Sequence, residues 1–150
     1  MAALAVAAAA ATATAGASAS VAVAVAVSAA FAVMLALDIP WVVLNTQYGI
    51  YRGLVNGRVR HWAAVLGLWL LVLVLNAGVL GYSMRSETRW WSALLYGLVL
   101  GLATYGTFNA TALVTFPSWT WTAACVDTAW GTLLFGAAAV AAFSAAQLVS

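Results

Sequence analysis

The chain has no lysine and only three acidic residues, Asp38, Glu87 and Asp127. It also has one histidine, His61, and one cysteine, Cys125, in 150 residues. Each scarcity excludes something. With charged residues at 5% of the chain, the composition is not that of a soluble domain, whose surface needs several times more charge. The five arginines and a net charge of +2 are too few, and too confined to two short segments, to make a nucleic-acid footprint. A lone cysteine cannot form an internal disulfide. One cysteine and one histidine do not make a ligand set for zinc or haem, so neither a metal site nor a cofactor is expected.

What the chain does have is apolar surface: 67% hydrophobic residues and a mean hydropathy of +1.07. These values indicate an integral, multi-pass membrane protein. Its organisation is read from the breaks in the apolar pattern. All five arginines fall in YRGLVNGRVR (Tyr51 to Arg60) and SMRSETR (Ser83 to Arg89). A third break, TFPSW (Thr115 to Trp119), contains Pro117, which is expected to open a new helix because its missing N–H is unpaired there anyway. Four spans remain: Ser28 to Tyr48, His61 to Tyr82, Trp90 to Thr115 and Ser118 to Ala142. Each is near the roughly 20 residues that cross the hydrocarbon core. Lipid offers the backbone no partners, so the spans read as helices despite their repeated valines. The expected fold is an all-α integral membrane four-helix bundle over residues 28–150. Trp62, Trp90, Trp91, Trp119 and Trp121 lie near span ends, at headgroup level, while Trp41, Trp69 and Trp130 lie deeper.

Residues 1–27 are almost wholly Ala, Val, Ser and Thr. They admit three readings: an extension of the first helix or a tail, a targeting segment whose small residues GASAS precede a cleavage point, or a further short helix. Four spans place both termini on one side. The arginine count then favours a cytoplasmic Tyr51 to Arg60 segment and extracytoplasmic termini.

The polar residues inside the spans share a depth. At 1.5 Å per residue, Asp38 lies about 15 Å from the span end at Tyr48, and Asp127 about 15 Å past Pro117 on the same side. Asn109 and Tyr105 fall at about 12 and 18 Å from that side. They also share faces. Asp38, Trp41 and Asn45 form one stripe of the first helix. Gly97, Gly101, Tyr105 and Asn109 form one of the third, in which GLVLG permits close backbone approach. Asp127, Trp130 and Gly131 repeat the device on the fourth. These polar groups are expected to point into the bundle. The paired units Asp38-x-x-Trp41 and Asp127-x-x-Trp130 suggest that each carboxyl takes an indole N–H from the opposite helix. Pro40, beside Asp38, removes a backbone bond and opens space. Two like charges at one depth in low dielectric do not both ionise cheaply, so the pair is expected to hold a proton or share a cation.

No catalytic constellation is recognised, and whether the chain is an enzyme is left open, with the reading leaning away from one. An intramembrane aspartyl protease also uses two aspartates, but its Tyr-Asp and Gly-x-Gly-Asp contexts are missing: Asp38 follows Leu37 and Asp127 follows Val126. Cys125 has no nearby base and reads as a small packing residue. The sequon Asn109-Ala110-Thr111 is inside a span, out of reach of a transferase. Arg52, Arg58, Arg60 and His61 form a rim suited to anionic headgroups, or simply set topology. The expected function is binding of a lipid headgroup, proton or cation at Asp38, Trp41, Asn45, Tyr105, Asn109, Asp127 and Trp130. The alternative is a structural subunit of a larger membrane assembly. Expected partners are membrane lipids and either another membrane protein or a second copy.

At LDIPW (Leu37 to Trp41), the His61-Trp62 pair, GLVLGLATYGTFNAT (Gly97 to Thr111) and VDTAWGT (Val126 to Thr132), the chain resembles domain-of-unknown-function family 2177 from about Ala30 to Phe143. That family consists of small four-helix membrane proteins. The resemblance marks Asp38, Trp41, Tyr105, Gly106, Thr107, Thr111, Asp127, Trp130 and Gly131 as family-like positions. It departs at Asn109, where an Asp is usual, and at Ala112, where an Asn is usual. The resemblance implies the architecture, leans toward a lipid-linked role and names no activity.

Overall fold

The computed structural model describes residues 2–52, 54 and 62–149, with side chains from residue 18 onward except 62, 64 and 65. Four helices follow one another: α1 (Ala2–Gln47), α2 (Trp62–Met84), α3 (Trp90–Thr115) and α4 (Trp121–Gln147). All four contain stretches long and apolar enough to cross a membrane, the first of them Ser18–Gln47. The all-α four-helix membrane bundle expected from composition is the observed fold. Two boundaries differ from expectation. Pro117 does not start α4; it sits in a turn closed by Trp119 N–H donating to Phe116 O at 2.9 Å. That is a favoured turn place for proline, and Thr120 then caps α4 by accepting from Ala123 N–H at 3.1 Å. α1 is continuous from Ala2 and passes through Pro40, whose ring is exposed.

α4 is the hub. It packs against α1, α2 and α3, with the α3 pairing the most extensive, and α1 also packs on α2. The faces that meet are stripes of one residue in four, which lie above one another on a helix. On α1 the buried stripe is Ala22, Ala26, Ala30, Met34 and Asp38. On α3 it includes Ala93, Gly97, Gly101 and Asn109. Small residues dominate because lipid supplies no hydrophobic force between helices, and cohesion comes from close approach. A Cβ on Gly101 would stand 2.6 Å from Gly131 O and 2.9 Å from Thr132 Cα. One on Gly97 would meet Phe135 O and stand 2.9 Å from Gly136 Cα. Many large side chains point the other way: Leu68, Leu75, Val99, Val114 and Leu133 are all exposed, as lipid-facing residues should be.

Candidate functional site

Three polar side chains are buried among the described residues: Asp38, Asn109 and Asp127. The stripes that pack α1 and α3 against α4 carry two of them inward, and α4 itself carries the third. Asp38 accepts from three helices at once. Trp130 Nε1–H of α4 reaches Oδ1 at 3.1 Å, and Trp69 Nε1–H of α2 reaches Oδ2 at 3.2 Å. The Tyr105 hydroxyl of α3 lies 3.4 Å from both oxygens. Gly131 makes the last contact possible, since a Cβ there would collide with the Tyr105 ring. Tyr105 also meets Phe135 edge-on at 6.0 Å.

Asp127 has its own set of donors. Asn109 Nδ2–H donates to Oδ2 at 2.8 Å, and the Tyr51 hydroxyl donates to Oδ1. The Asn109 amide is held by Trp119 Nε1–H, which donates to Oδ1 at 3.0 Å. Trp41 Nε1–H in turn donates to the Tyr51 oxygen at 3.2 Å. The expected reciprocal pairing is therefore half realised: Trp130 serves Asp38, but Trp41 reaches Asp127 only through Tyr51. The reason is that the two indoles stack, with centroids 4.4 Å apart and planes within 6°, a good arrangement for aromatic rings. Stacking turns the Trp41 N–H toward the connection after α1. No buried side-chain nitrogen or oxygen among the described residues lacks a hydrogen-bond partner.

Asn45 shares the α1 stripe but bonds neither carboxyl. It occupies the last turn of α1, where backbone groups run short of partners. Its Oδ1 accepts from Ile50 N–H at 3.3 Å, and its Nδ2–H donates to Trp41 O at 3.0 Å. Cys125 is exposed rather than packed. It lines an open groove of about 600 Å³ between α3 and α4, with Leu102, Gly106, Ala110, Thr128 and Ala129. Of the arginine rim, Arg52 is exposed; Arg58, Arg60 and His61 lie outside the described residues.

Three members of the network were not expected: Tyr51, Trp69 and Trp119. Trp69 was legible, because about eight residues into its span places it about 12 Å deep, level with the carboxyls. A buried indole N–H also needs an acceptor. Tyr51 and Trp119 fall in the breaks between spans, where helical periodicity says nothing about direction.

The family model described as a predicted membrane protein, DUF2177, matches residues 23–144. The chain belongs to this family. None of the curated proteins and none of the solved structures matches it. The matched region covers every residue of the network, from Asp38 to Trp130, and most of α1 within its candidate span.

Proposed function

We propose that this DUF2177 protein binds and releases a proton at its Asp38 and Asp127 pair. The observation that carries this reading is that two carboxyls are buried in one bundle and, among the described residues, every hydrogen-bond partner they have is neutral. The described arginines, Arg52, Arg85 and Arg89, are all exposed. Uncompensated charge away from water is costly, so a positive charge must accompany it. A proton fits better than a metal cation, because the N–H and O–H groups aimed at the carboxyl oxygens would face the cation with their positive ends. A phospholipid headgroup in the cluster would set its phosphate against two carboxyls, so a headgroup would sit instead near exposed Arg52.

Infrared absorption of the protonated carboxyl group tests this in protein held in lipid nanodiscs. The expected result is a carboxyl band that titrates with pH and loses one component each in Asp38→Asn and Asp127→Asn. A spectrum indifferent to pH would favour the second reading, a structural subunit whose carboxyls are only a clasp. The open groove between α3 and α4, where Gly106, Ala110 and Ala129 lie among larger apolar residues, favours that alternative, because it would accept a partner helix. A subunit also predicts that the isolated chain is unstable without its partners.

A further inference from the structure

The two carboxyls differ in where their described donors stand. All of the donors to Asp38 stand on helices within the bundle. One donor to Asp127, Tyr51, stands in the connection after α1, half-buried and followed by exposed Arg52. Its position is held by Asn45. The Asn45 carbonyl accepts from Gly49 N–H at 3.2 Å and Tyr51 N–H at 3.1 Å, while its side chain accepts from Ile50 N–H at 3.3 Å. The Tyr51 ring also stacks on Trp119, with centroids 5.8 Å apart and planes at 22°. This aromatic pair covers Asp127 from the connection side.

Of the two described groups that donate to Asp127, only one can pass a proton on. The Asn109 amide donates but does not exchange its role. A tyrosine hydroxyl has one hydrogen and two lone pairs. At Tyr51 the hydrogen is directed at Asp127, and one lone pair accepts from Trp41. Among the described residues no further donor reaches its second lone pair.

We propose that Tyr51 relays the proton between Asp127 and the aqueous phase at the α1–α2 connection, making Asp127 the exchanging carboxyl and Asp38 the enclosed one. The inference rests on the proton-binding reading above. In the inward step the phenolic O–H bond breaks as a new O–H bond forms on Asp127 Oδ1. The tyrosine oxygen takes a replacement proton on its other lone pair from a hydrated proton of the aqueous phase, which is left as water, so one proton is transferred and no charge stays on Tyr51. The two transfers are concerted, because burial, together with the hydrogen bond to Asp127 and its negative charge, holds the phenol well above the ordinary tyrosine range. Titratable groups around this path are Asp38 on α1, Tyr105 on α3 and Asp127 on α4. α2 contributes Trp69, which does not titrate, and the connection adds the charge of Arg52.

Hydrogen-to-deuterium exchange of the carboxyl bands, followed by infrared absorption after D₂O is perfused over the nanodiscs, tests the route. In the wild type the Asp127 component should exchange faster than the Asp38 component, each assigned with its Asp→Asn variant. Tyr51→Phe keeps the ring on Trp119 and removes only the hydroxyl. It should slow the Asp127 component by about tenfold or more, in line with losing a positioned proton donor, and leave the Asp38 component unchanged. Wild-type exchange in Tyr51→Phe would overturn the relay, as would acceleration confined to Tyr51→Ala, the mark of a simple plug. A carboxyl band that never titrates would overturn the proton-binding reading and the route together, whereas titration at a rate indifferent to Tyr51→Phe overturns the route alone.

Discussion

An asparagine at position 38 would meet indole N–H groups on both sides, since Trp130 donates to one carboxyl oxygen and Trp69 to the other. Whichever way the amide turns, its NH₂ faces an indole that cannot accept. Position 127 is more forgiving. There one donor is the Tyr51 hydroxyl, which can rotate and accept from an NH₂. Asp38→Asn should therefore lower stability by roughly 1–3 kcal/mol, the cost of a buried unsatisfied donor, and Asp127→Asn by less; thermal unfolding in detergent gives the order. Equal losses would mean that the indoles move aside freely. Tyr51 allows a second check. Burial and Asp127 hold its phenol above the ordinary tyrosine range, so the native state keeps a proton that the unfolded chain releases. Stability from this group is complete below the unfolded value and falls as pH rises above it. Wild-type protein should lose thermal stability above pH about 10 more steeply than Tyr51→Phe.

At the scale of the helix, the network depends on what is missing from α4. Gly131 leaves the gap through which Tyr105 of α3 reaches Asp38 of α1. Gly131→Ala should displace Tyr105 and destabilise the bundle, and Tyr105→Leu in the same chain should recover part of the loss, because the clash partner is then shorter and flexible. Gly101→Leu tests the neighbouring contact, where a Cβ would stand 2.6 Å from Gly131 O; overpacking there should cost roughly 1–3 kcal/mol of thermal stability. The α3 stripe is legible in the sequence because polar and small residues recur every fourth position, and lipid rewards both only at a helix contact. Equal depth similarly brought Asp38, Asn109, Asp127 and Tyr105 to one level. The rest was not legible, because Tyr51 and Trp119 are placed by turns, through Asn45 and the Phe116 to Trp119 turn, and turns carry no 3.6-residue period. Asn45 fits the stripe, yet the end of α1 needs its amide more than the carboxyls do.

For the whole molecule, the central place of α4 ties stability to the site: the helix that carries Asp127 and Trp130 is also the one against which α1, α2 and α3 all pack. Four consecutive spans joined in this way put the α1–α2 and α3–α4 connections on one face of the membrane, and the termini with the α2–α3 connection on the other. Tyr51 and Trp119, which cover Asp127, come from the two connections on the same face, so their stacking is itself a consequence of the topology. Ser86 and Ser118 sit in exposed stretches of opposite connections. In a Cys125→Ala background, which removes the one native thiol, Ser86→Cys and Ser118→Cys should react with a membrane-impermeant maleimide from opposite sides in intact cells and inverted vesicles. The arginine distribution predicts that Ser118, in the connection on the same face as Arg52, is cytoplasmic. Opposite reactivity with Ser118 outside would reverse that orientation and leave the bundle intact. Reactivity of both positions from one side would contradict the four-span topology, and with it the common face from which Tyr51 and Trp119 close over Asp127.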